Sequence, residues 1–242
     1  MSKLETYGIT DVGLVRHNNE DAWLVDEALC VAVVADGMGG AACGEVAAAL
    51  TIEALADYLR HPPEDLPPEQ LLKEAVREAN RRVLERSRQD AACDGMGSTI
   101  VTVLWDLPVL LMANVGDSRA YLWRQPNLVQ LSYDQTLANE LRQSLGLTDE
   151  EIEHYDHKNV LTMAIGSGED ILIHTQTETL QPGDEILLCS DGLYGPAGDE
   201  AIAKILSQRA PLREAAKQLV EAAKAAESED NITAVLLRHV DD

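Results

Sequence analysis

The chain has 242 residues, and its 42 Asp and Glu against 19 Lys and Arg give a formal net charge of −23. Sequence-independent binding to DNA or RNA depends on Lys and Arg neutralising phosphates, so this charge excludes it. The same charge argues against docking on an anionic membrane surface. A hydrophobic content of 45% is typical of globular proteins. We therefore expect one globular domain, residues 1–242, without nucleic-acid or membrane partners.

The strand pattern begins in LCVAVVADG (29–37), a continuous apolar run that stops at Asp36 and Gly37 and predicts a strand buried on both faces. Helical periodicity then predicts antiparallel helices over 45–60 and 70–89, with two prolines suiting the first turn of the second. Further strands are predicted over 98–105, 109–116 and 118–124, as a β-meander. These predictions indicate a mixed α and β domain.

The second half of the chain continues this alternation. Residues 134–160 are polar and weakly helical, with a helix-start signal at Thr148. Strands are predicted within 171–180 and 183–193, the second ending at Asp191 and Gly192. Two Ala-rich helices, at about 199–208 and 212–226, precede a closing strand within 228–240.

Four cysteines, Cys30, Cys43, Cys93 and Cys189, are scattered without a C-x-x-C pair. Cys30 and Cys189 lie in apolar runs, where a free thiol packs as a small hydrophobic side chain. The spacing predicts neither a disulfide framework nor a zinc site. The N-terminal segment has no apolar stretch typical of a leader, and no window reaches about 18 apolar residues. We therefore expect a protein of the reducing cytoplasm.

Four aspartates stand in the same relation to predicted strands. Asp36 and Asp191 end apolar strands, Asp117 lies in the turn between two strands, and Asp230 precedes the last strand. For a single aspartate, Asp-Gly is simply a favourable turn dipeptide. Four carboxylates at one rim would instead repel each other and raise their pKa values, unless divalent cations bind them. Oxygen-only ligands suit magnesium or manganese.

Seven segments along the chain form a recognisable series: TDVGLVRHNNEDAW (10–23), VVADGMGG (33–40), GSTIV (97–101), ANVGDSRAYLW (113–123), LTMAIG (161–166), LQPGDEILLCSDGL (180–193) and SEDNITAVLLR (228–238). In this order they resemble the metal-dependent Ser/Thr protein phosphatases of the protein phosphatase 2C type, in their compact bacterial form. The resemblance implies an α+β fold, a four-layer αββα sandwich. Two antiparallel sheets would be flanked by helix pairs, with the metal centre at one end between the sheets.

The resemblance also implies two Mn or Mg ions and their ligands. Asp36 resembles the carboxylate that bridges both ions, and Gly37 the residue that gives its backbone carbonyl to the second. Asp191 and Asp230 resemble the other ligands of the first ion. Glu20 resembles the outer carboxylate that holds a metal-bound water.

Two further residues complete the implied site. Asp117 resembles a ligand of a weaker third ion, and Arg16 the guanidinium that clamps the substrate phosphate, because its planar fork matches two phosphoryl oxygens. Structural alternatives are a solvated loop position for Glu20, a turn cap for Asp117, and ion pairing of Arg16 with Asp21 or Asp11. Asn231 is expected to orient Asp230 and satisfy backbone groups, and Glu45 to be a first-turn acid.

Three positions depart from the family pattern. Ala41 replaces a histidine that often acts as general acid, so that role is vacant or transferred to His17, His154, His157 or a metal-bound water near Asp117. Met163 replaces a basic residue, and DQT stands at 134–136 where DHS is frequent. The last two departures adjoin 137–160, which resembles a flap that influences substrate choice.

The implied function is hydrolysis of phosphoserine and phosphothreonine monoesters on proteins by a metal-activated water, without a covalent intermediate. The substrates would be phosphoproteins, and the protein a monomer that opposes a cognate Ser/Thr kinase in signalling. The alternatives are a phosphoprotein-binding scaffold with little turnover, since Ala41 cannot donate a proton, and a small-molecule phosphatase. Manganese-dependent phosphate release from a phosphothreonine peptide discriminates between hydrolysis and scaffold binding.

Overall fold

The computed structural model describes residues 3–39, 43–63, 66–155 and 157–241. The strands in these ranges are β1 (Lys3–Asp11), β2 (Asp21–Asp26), β3 (Val31–Met38), β4 (Gly97–Ser98), β5 (Ile100–Asp106), β6 (Val109–Val115), β7 (Arg119–Arg124), β8 (Asn127–Gln130), β9 (His174–Thr179), β10 (Glu185–Cys189) and β11 (Ile232–Val240). The helices are α1 (Gly44–Arg60), α2 (Pro68–Gln89), α3 (Leu137–Leu145), α4 (Asp149–Glu153), α5 (Asp191–Ser207) and α6 (Leu212–Ala225).

Two antiparallel sheets form the centre of the molecule. One has the strand order β1-β11-β10-β7-β8, and the other has the order β2-β3-β5-β6-β9, with β4 paired to the end of β3. Val34, Val101 and Leu188 belong to the apolar layer between the sheets. Helices α1 and α2 cover the six-stranded sheet, and α5 and α6 cover the five-stranded one. The predicted four-layer αββα sandwich is confirmed.

The strongest sequence patterns correspond to the elements that form. Residues 31–35 of β3 are fully buried, as the continuous apolar run predicts. Helices α1 and α2 match the predicted 45–60 and 70–89 within two residues, and Pro68 occupies the first position of α2. None of the helices in the described ranges has the length and apolar content to cross a membrane.

The predicted β-meander is wrong. Strands β5 and β6 pair with each other, but β7 pairs with β10 and β8 in the other sheet. The chain changes sheets at Gly116, whose φ of +94° turns the backbone directly after β6. Asp117 therefore lies at the crossing between the sheets.

Further differences from the prediction concern three strands and the start of one helix. Strands β1, β2 and β8 had no predicted counterpart. Helix α5 begins at Asp191, whereas the sequence predicted a start near residue 199. Pro196 and the kink at Gly198 interrupt the helical pattern, so the sequence did not reveal the first part of the helix. Asp191 is thus the first residue of a helix.

The expectation that the cysteines form no disulfide is wrong for one pair. Cys43 and Cys93 form a disulfide with their Cα atoms 5.4 Å apart, although 50 residues separate them in the chain. The antiparallel α1 and α2 bring the start of one helix beside a 3₁₀ turn, Ala91–Cys93, after the other. Cys30 and Cys189 are free, and Cys189 is buried as expected.

Candidate metal centre

All seven predicted site residues line one cavity of about 300 Å³ at an end of the two sheets. The loop between β1 and β2 supplies Arg16 and Glu20, and the end of β3 supplies Asp36 and Gly37. The crossing between β6 and β7, the start of α5 and the loop before β11 supply the remaining carboxylates: Asp117, Asp191 and Asp230. The structure brings the seven residues together, while their individual roles stay predictions.

Burial and mutual repulsion raise the pKa values of these carboxyls. Burial raises the pKa of Asp36 well above its ordinary value, and Asp21 and Asp191 raise it further by charge repulsion. Burial, followed by the charge of Asp191, raises the pKa of Asp117 to about 7. The Asp191 pKa is raised by burial and by the neighbouring Asp230. This electrostatic strain is what a bound cation relieves.

The donor set fits a hard divalent cation. The candidate ligands are carboxylate and carbonyl oxygens, and Asp191 Oδ1 is buried without a hydrogen-bond partner. Within the described ranges, no three acidic, His or Cys side chains already converge as a complete ligand set. Instead Arg16 Nη2 donates to Asp230 Oδ2 at 2.7 Å. This contact engages an oxygen that a cation would take.

Gly37 occupies a position that admits no side chain. A Cβ there would lie 1.9 Å from the Gly44 carbonyl oxygen, at the start of α1. The Gly37 amide also donates to the Glu20 carbonyl at 3.0 Å. The close approach of β3, α1 and the β1–β2 loop therefore determines where the Gly37 carbonyl lies.

Asp21 is a site residue that the sequence prediction missed. It lies opposite Asp36 in the β2–β3 pair and accepts hydrogen bonds from Ser190 Oγ at 2.7 Å and Thr233 Oγ1 at 2.6 Å. Burial raises its pKa to about 7, despite these two hydrogen bonds. Its position beside Glu20 was a signal, but only the unpredicted strand β2 places it opposite Asp36.

The structure separates the alternatives for several residues. Arg16 pairs with neither suggested partner, since Asp11 accepts from Lys224 at 2.6 Å and Asp21 is engaged as above. Asn231 satisfies backbone groups, as expected: its Oδ1 accepts from the Glu20 amide, and its Nδ2 donates to the carbonyls of residues 12 and 18. Glu45 lies in the first turn of α1, also as expected.

The candidate proton donors do not gather at the site. Ala41 lies outside the described residues, so the structure does not test its surroundings. His17, His154 and His157 are exposed, and none of them lines the cavity of the carboxylates. Asn159, from the flap-like segment, does line it.

The other two departures have structural consequences. Met163 packs against the apolar cluster beneath α1 and α2, where a charged group would be partly desolvated. In DQT, Gln135 Oε1 accepts a hydrogen bond from the backbone amide of Gly116 at 2.7 Å. The backbone amide of Gln135 donates to the Gly116 carbonyl in return. Gln135 thus holds the crossing that carries Asp117.

A larger cavity of about 670 Å³ continues from the first, and Asp117, Asn159, Asp191 and Asp230 line both. Its outer wall comes from the flap-like segment and α5, including Arg142, Lys158 and Tyr194. Together the two cavities form one cleft with the carboxylates on the shared wall.

The family model for protein phosphatase 2C matches residues 15–237. The chain belongs to the protein phosphatase 2C family. A relative of this family, the serine/threonine phosphatase stp of Listeria monocytogenes, is 33% identical over 234 residues, covering 94% of this chain and 93% of its own. The serine/threonine protein phosphatase PstP of Mycobacterium tuberculosis is 36% identical over 235 residues, which are 96% of this chain and 44% of that protein.

Solved structures of the protein phosphatase 2C fold agree with this assignment. The catalytic domain of PstP in complex with two manganese ions is 34% identical, with a TM-score of 0.85 and complete coverage of both chains. A crystal structure of the M. tuberculosis PstP has a TM-score of 0.88 over 99% of both chains, at 33% identity.

Proposed function

We propose that this protein phosphatase 2C member hydrolyses phosphoserine and phosphothreonine monoesters on proteins, using two Mn or Mg ions. The observation that carries the proposal is that Asp36, Asp117, Asp191 and Asp230 line one cavity beside Arg16. Buried carboxylates with raised pKa values destabilise a fold unless cations compensate them. A scaffold without turnover has no need of such a cluster.

The proposed roles are those that the family resemblance implies. Asp36, Asp191, Asp230 and the Gly37 carbonyl would hold the two ions, and Glu20 would act through a water. Asp117, which lines both cavities, would serve a third ion. Two bound ions supply Lewis-acid stabilisation of the phosphoryl oxygens and an acidified water placed for in-line attack. No protein nucleophile is then required.

Arg16 is suited to clamp the phosphate. Its side chain is 49% exposed and already reaches Asp230 across the mouth of the cavity. When cations neutralise Asp230, the guanidinium is available for a phosphoryl dianion, to which it can donate two parallel hydrogen bonds. Arg16 thereby exchanges a carboxylate partner for the substrate.

The names of relatives, serine/threonine protein phosphatase PstP and protein phosphatase PhpP, support a polypeptide substrate over a small metabolite. The 670 Å³ cavity beside the carboxylates offers room for residues that flank a phosphorylated side chain. A cognate Ser/Thr kinase as the opposing enzyme, a monomeric state and a cytoplasmic location complete the proposal. The charge of −23 supports protein substrates over nucleic acid or anionic membrane partners.

The deciding experiment measures phosphate release from a phosphothreonine peptide with and without Mn²⁺. We expect release that depends on Mn²⁺ and is lost in Asp36→Ala. Asp106→Ala is the matched control, because Asp106 is exposed at the end of β5 and lines neither cavity. No Mn²⁺-dependent release from any phosphopeptide, with tight phosphopeptide binding, would support the scaffold instead. A preference for small phosphate esters would favour the small-molecule reading.

A further inference from the structure

The disulfide lies against the segment that carries Gly37. Cys43 is the residue that precedes α1, and Cys93 ends the 3₁₀ turn after α2. Both residues are buried, with exposed fractions of 6% and 5%. The bridge therefore joins the start of α1 to the segment that leads into β4.

On the Cys43 side, the next residue along the chain, Gly44, contacts the candidate metal site. Gly44 packs its carbonyl oxygen against the Cα of Gly37, and the Glu20 carboxylate packs against the Cα of Gly44. Any shift at the start of α1 therefore moves the surroundings of both Gly37 and Glu20.

On the Cys93 side, the contact runs through β4. The Met96 amide donates to the Cys93 carbonyl at 3.0 Å, and Met96 packs against Gly39. The next two residues form β4, in which Ser98 pairs with Gly37. The disulfide thus closes a ring of contacts around the Gly37 segment, from β4 on one side and from α1 on the other.

We propose that Cys43–Cys93 is a redox modification site that sets the affinity of the metal centre. The inference rests on the proposed roles of Gly37 and Glu20. In the disulfide form, the ring holds the Gly37 carbonyl and the Glu20 carboxylate in position for a cation. In the dithiol form, α1 and the turn before β4 are released from each other, and ordering them on metal binding costs affinity.

The co-reactant is a thiol or its disulfide, such as the glutathione couple. One thiolate attacks a sulfur of the bridge, breaks the S–S bond and forms a mixed disulfide, and a second thiol resolves it. The two protein sulfurs gain two electrons and two protons, while two thiols become one disulfide. Oxidation runs in the reverse direction.

Thermodynamic reciprocity separates this proposal from a purely structural bridge. If the disulfide raises the affinity for Mn²⁺ by some factor, Mn²⁺ must favour the disulfide over the dithiol by the same factor. A bridge that only stabilises the fold would lower the melting temperature on reduction, but would leave the Mn²⁺ affinity and the redox equilibrium independent of each other.

The experiment uses the full chain in both redox forms. Calorimetric titration with Mn²⁺ measures the affinity of the oxidised protein, of the protein after reduction and removal of the reductant, and of Cys43→Ala/Cys93→Ala. Alkylation followed by mass measurement gives the disulfide fraction in glutathione buffers with and without Mn²⁺. Cys30→Ala/Cys189→Ala is the control, because both of these cysteines are free.

We expect reduction to weaken Mn²⁺ binding by about tenfold, a typical coupling between sites, and Mn²⁺ to shift the glutathione equilibrium by the same factor. The control variant should retain both effects. Equal Mn²⁺ affinity in the two forms, or a redox equilibrium that ignores Mn²⁺, would overturn the inference. Absence of Mn²⁺ binding in both forms would overturn it as well.

These readouts do not depend on turnover. Loss of the proposed activity, with redox-dependent Mn²⁺ binding retained, would count against the proposed function alone. Phosphate release with a redox-independent affinity would count against this inference alone. If the double alanine variant does not fold, reduced wild-type protein still provides both measurements.

Discussion

Asp21 and Asp36 face each other across the β2–β3 pair, and the charge of Asp21 raises the pKa of Asp36. They come from neighbouring strands of one sheet, whereas the hydroxyls that bind Asp21 come from Thr233 in β11 of the other sheet and from Ser190, directly after β10. Asp21 thus contributes negative charge beside the proposed bridging ligand while its Oδ2 accepts hydrogen bonds from both Ser190 and Thr233. This arrangement determines how the metal-free protein should respond to pH.

The metal-free protein should become less stable as pH rises from about 4 to 7. Asp21 and Asp117 have pKa values of about 7 when folded against an ordinary 3.8. The folded state therefore binds more protons than the unfolded state in this window, and the free energy of unfolding falls with pH. We expect the melting temperature to drop by about 10 °C between pH 5 and pH 7.5.

Calorimetry in the presence of chelator checks this prediction, with Asp106→Asn as a control that should keep the same slope. With saturating Mn²⁺ the trend should reverse, because metal ligands must be deprotonated. A melting temperature of the metal-free protein that rises with pH would contradict a preformed carboxylate cluster. A melting temperature that is the same with chelator and with manganese would contradict it as well.

Asp21→Asn should separate charge from hydrogen bonding. The amide oxygen can still accept from Ser190 and Thr233, but the charge beside Asp36 is removed. We expect a higher melting temperature of the metal-free protein at pH 7.5, together with several-fold weaker Mn²⁺ binding. Differential scanning calorimetry and Mn²⁺ titration measure the two effects. Tighter Mn²⁺ binding in the variant would show that Asp21 does not support the cations.

Substitutions of the proposed metal ligands should lower turnover to different extents. Asp36→Ala removes the only ligand assigned to both ions and should abolish turnover, and Asp191→Ala and Asp230→Ala should come close to that. Asp117→Ala should keep binding of the two principal ions and lower turnover, or change its metal dependence. Steady-state rates at saturating Mn²⁺ test this. More than about one tenth of wild-type turnover in Asp36→Ala would exclude the bridging role, since both ions are needed to activate water.

Gly37→Ala should damage the site through packing alone. Its Cβ would fall 1.9 Å from the Gly44 carbonyl oxygen, so the start of α1 must move. Overpacking of this kind costs about 1–3 kcal/mol, and we expect weaker Mn²⁺ binding and slower turnover. Gly168→Ala is the matched control, because a Cβ there meets nothing within 4 Å and its φ is not positive. Equal melting temperatures for Gly37→Ala and Gly168→Ala would contradict the close approach of Gly44 to Gly37.

The leaving group tests how protonation occurs in the presence of Ala41. A general acid contributes about 10²–10⁴-fold and matters most for alkyl phosphates, whose alkoxide is a poor leaving group. Because no exposed histidine lines the carboxylate cavity, we expect His17→Ala, His154→Ala and His157→Ala to leave kcat/KM unchanged on aryl phosphates and phosphothreonine peptides alike.

Comparable efficiency on the two substrate types would assign protonation to water. A strong preference for aryl phosphates, reduced in Ala41→His, would instead show that position 41 is a vacant acid position. A loss in one histidine variant, confined to the peptide, would identify that histidine as the donor.

The parts of the fold that the sequence predicted are those with strong local patterns. The apolar run of β3 and the periodicity of α1 and α2 carry enough information within a single segment. The carboxylates were found because each is tied to such a segment or to a family motif. Local signals therefore predicted most of the site.

What the sequence did not predict depends on contacts between distant segments. The partner of β7 is decided by the turn at Gly116 and by the second sheet, neither of which is visible in 118–124. The role of Asp21 depends on Ser190 and Thr233, which are more than 160 residues away. The Cys43–Cys93 pairing likewise depends on how α1 and α2 are arranged.

The hydrogen bonds of Asp21 have one further consequence. They connect the edge of the six-stranded sheet to the centre of the five-stranded sheet, at the end where the carboxylates lie. Asp36 belongs to the first sheet, and Asp191 and Asp230 flank strands of the second. The carboxylates therefore come from both sheets, and the distance between the sheets determines the distance between the carboxylates. A substitution in the apolar layer between the sheets, far from any ligand, would therefore change the distance between the carboxylates.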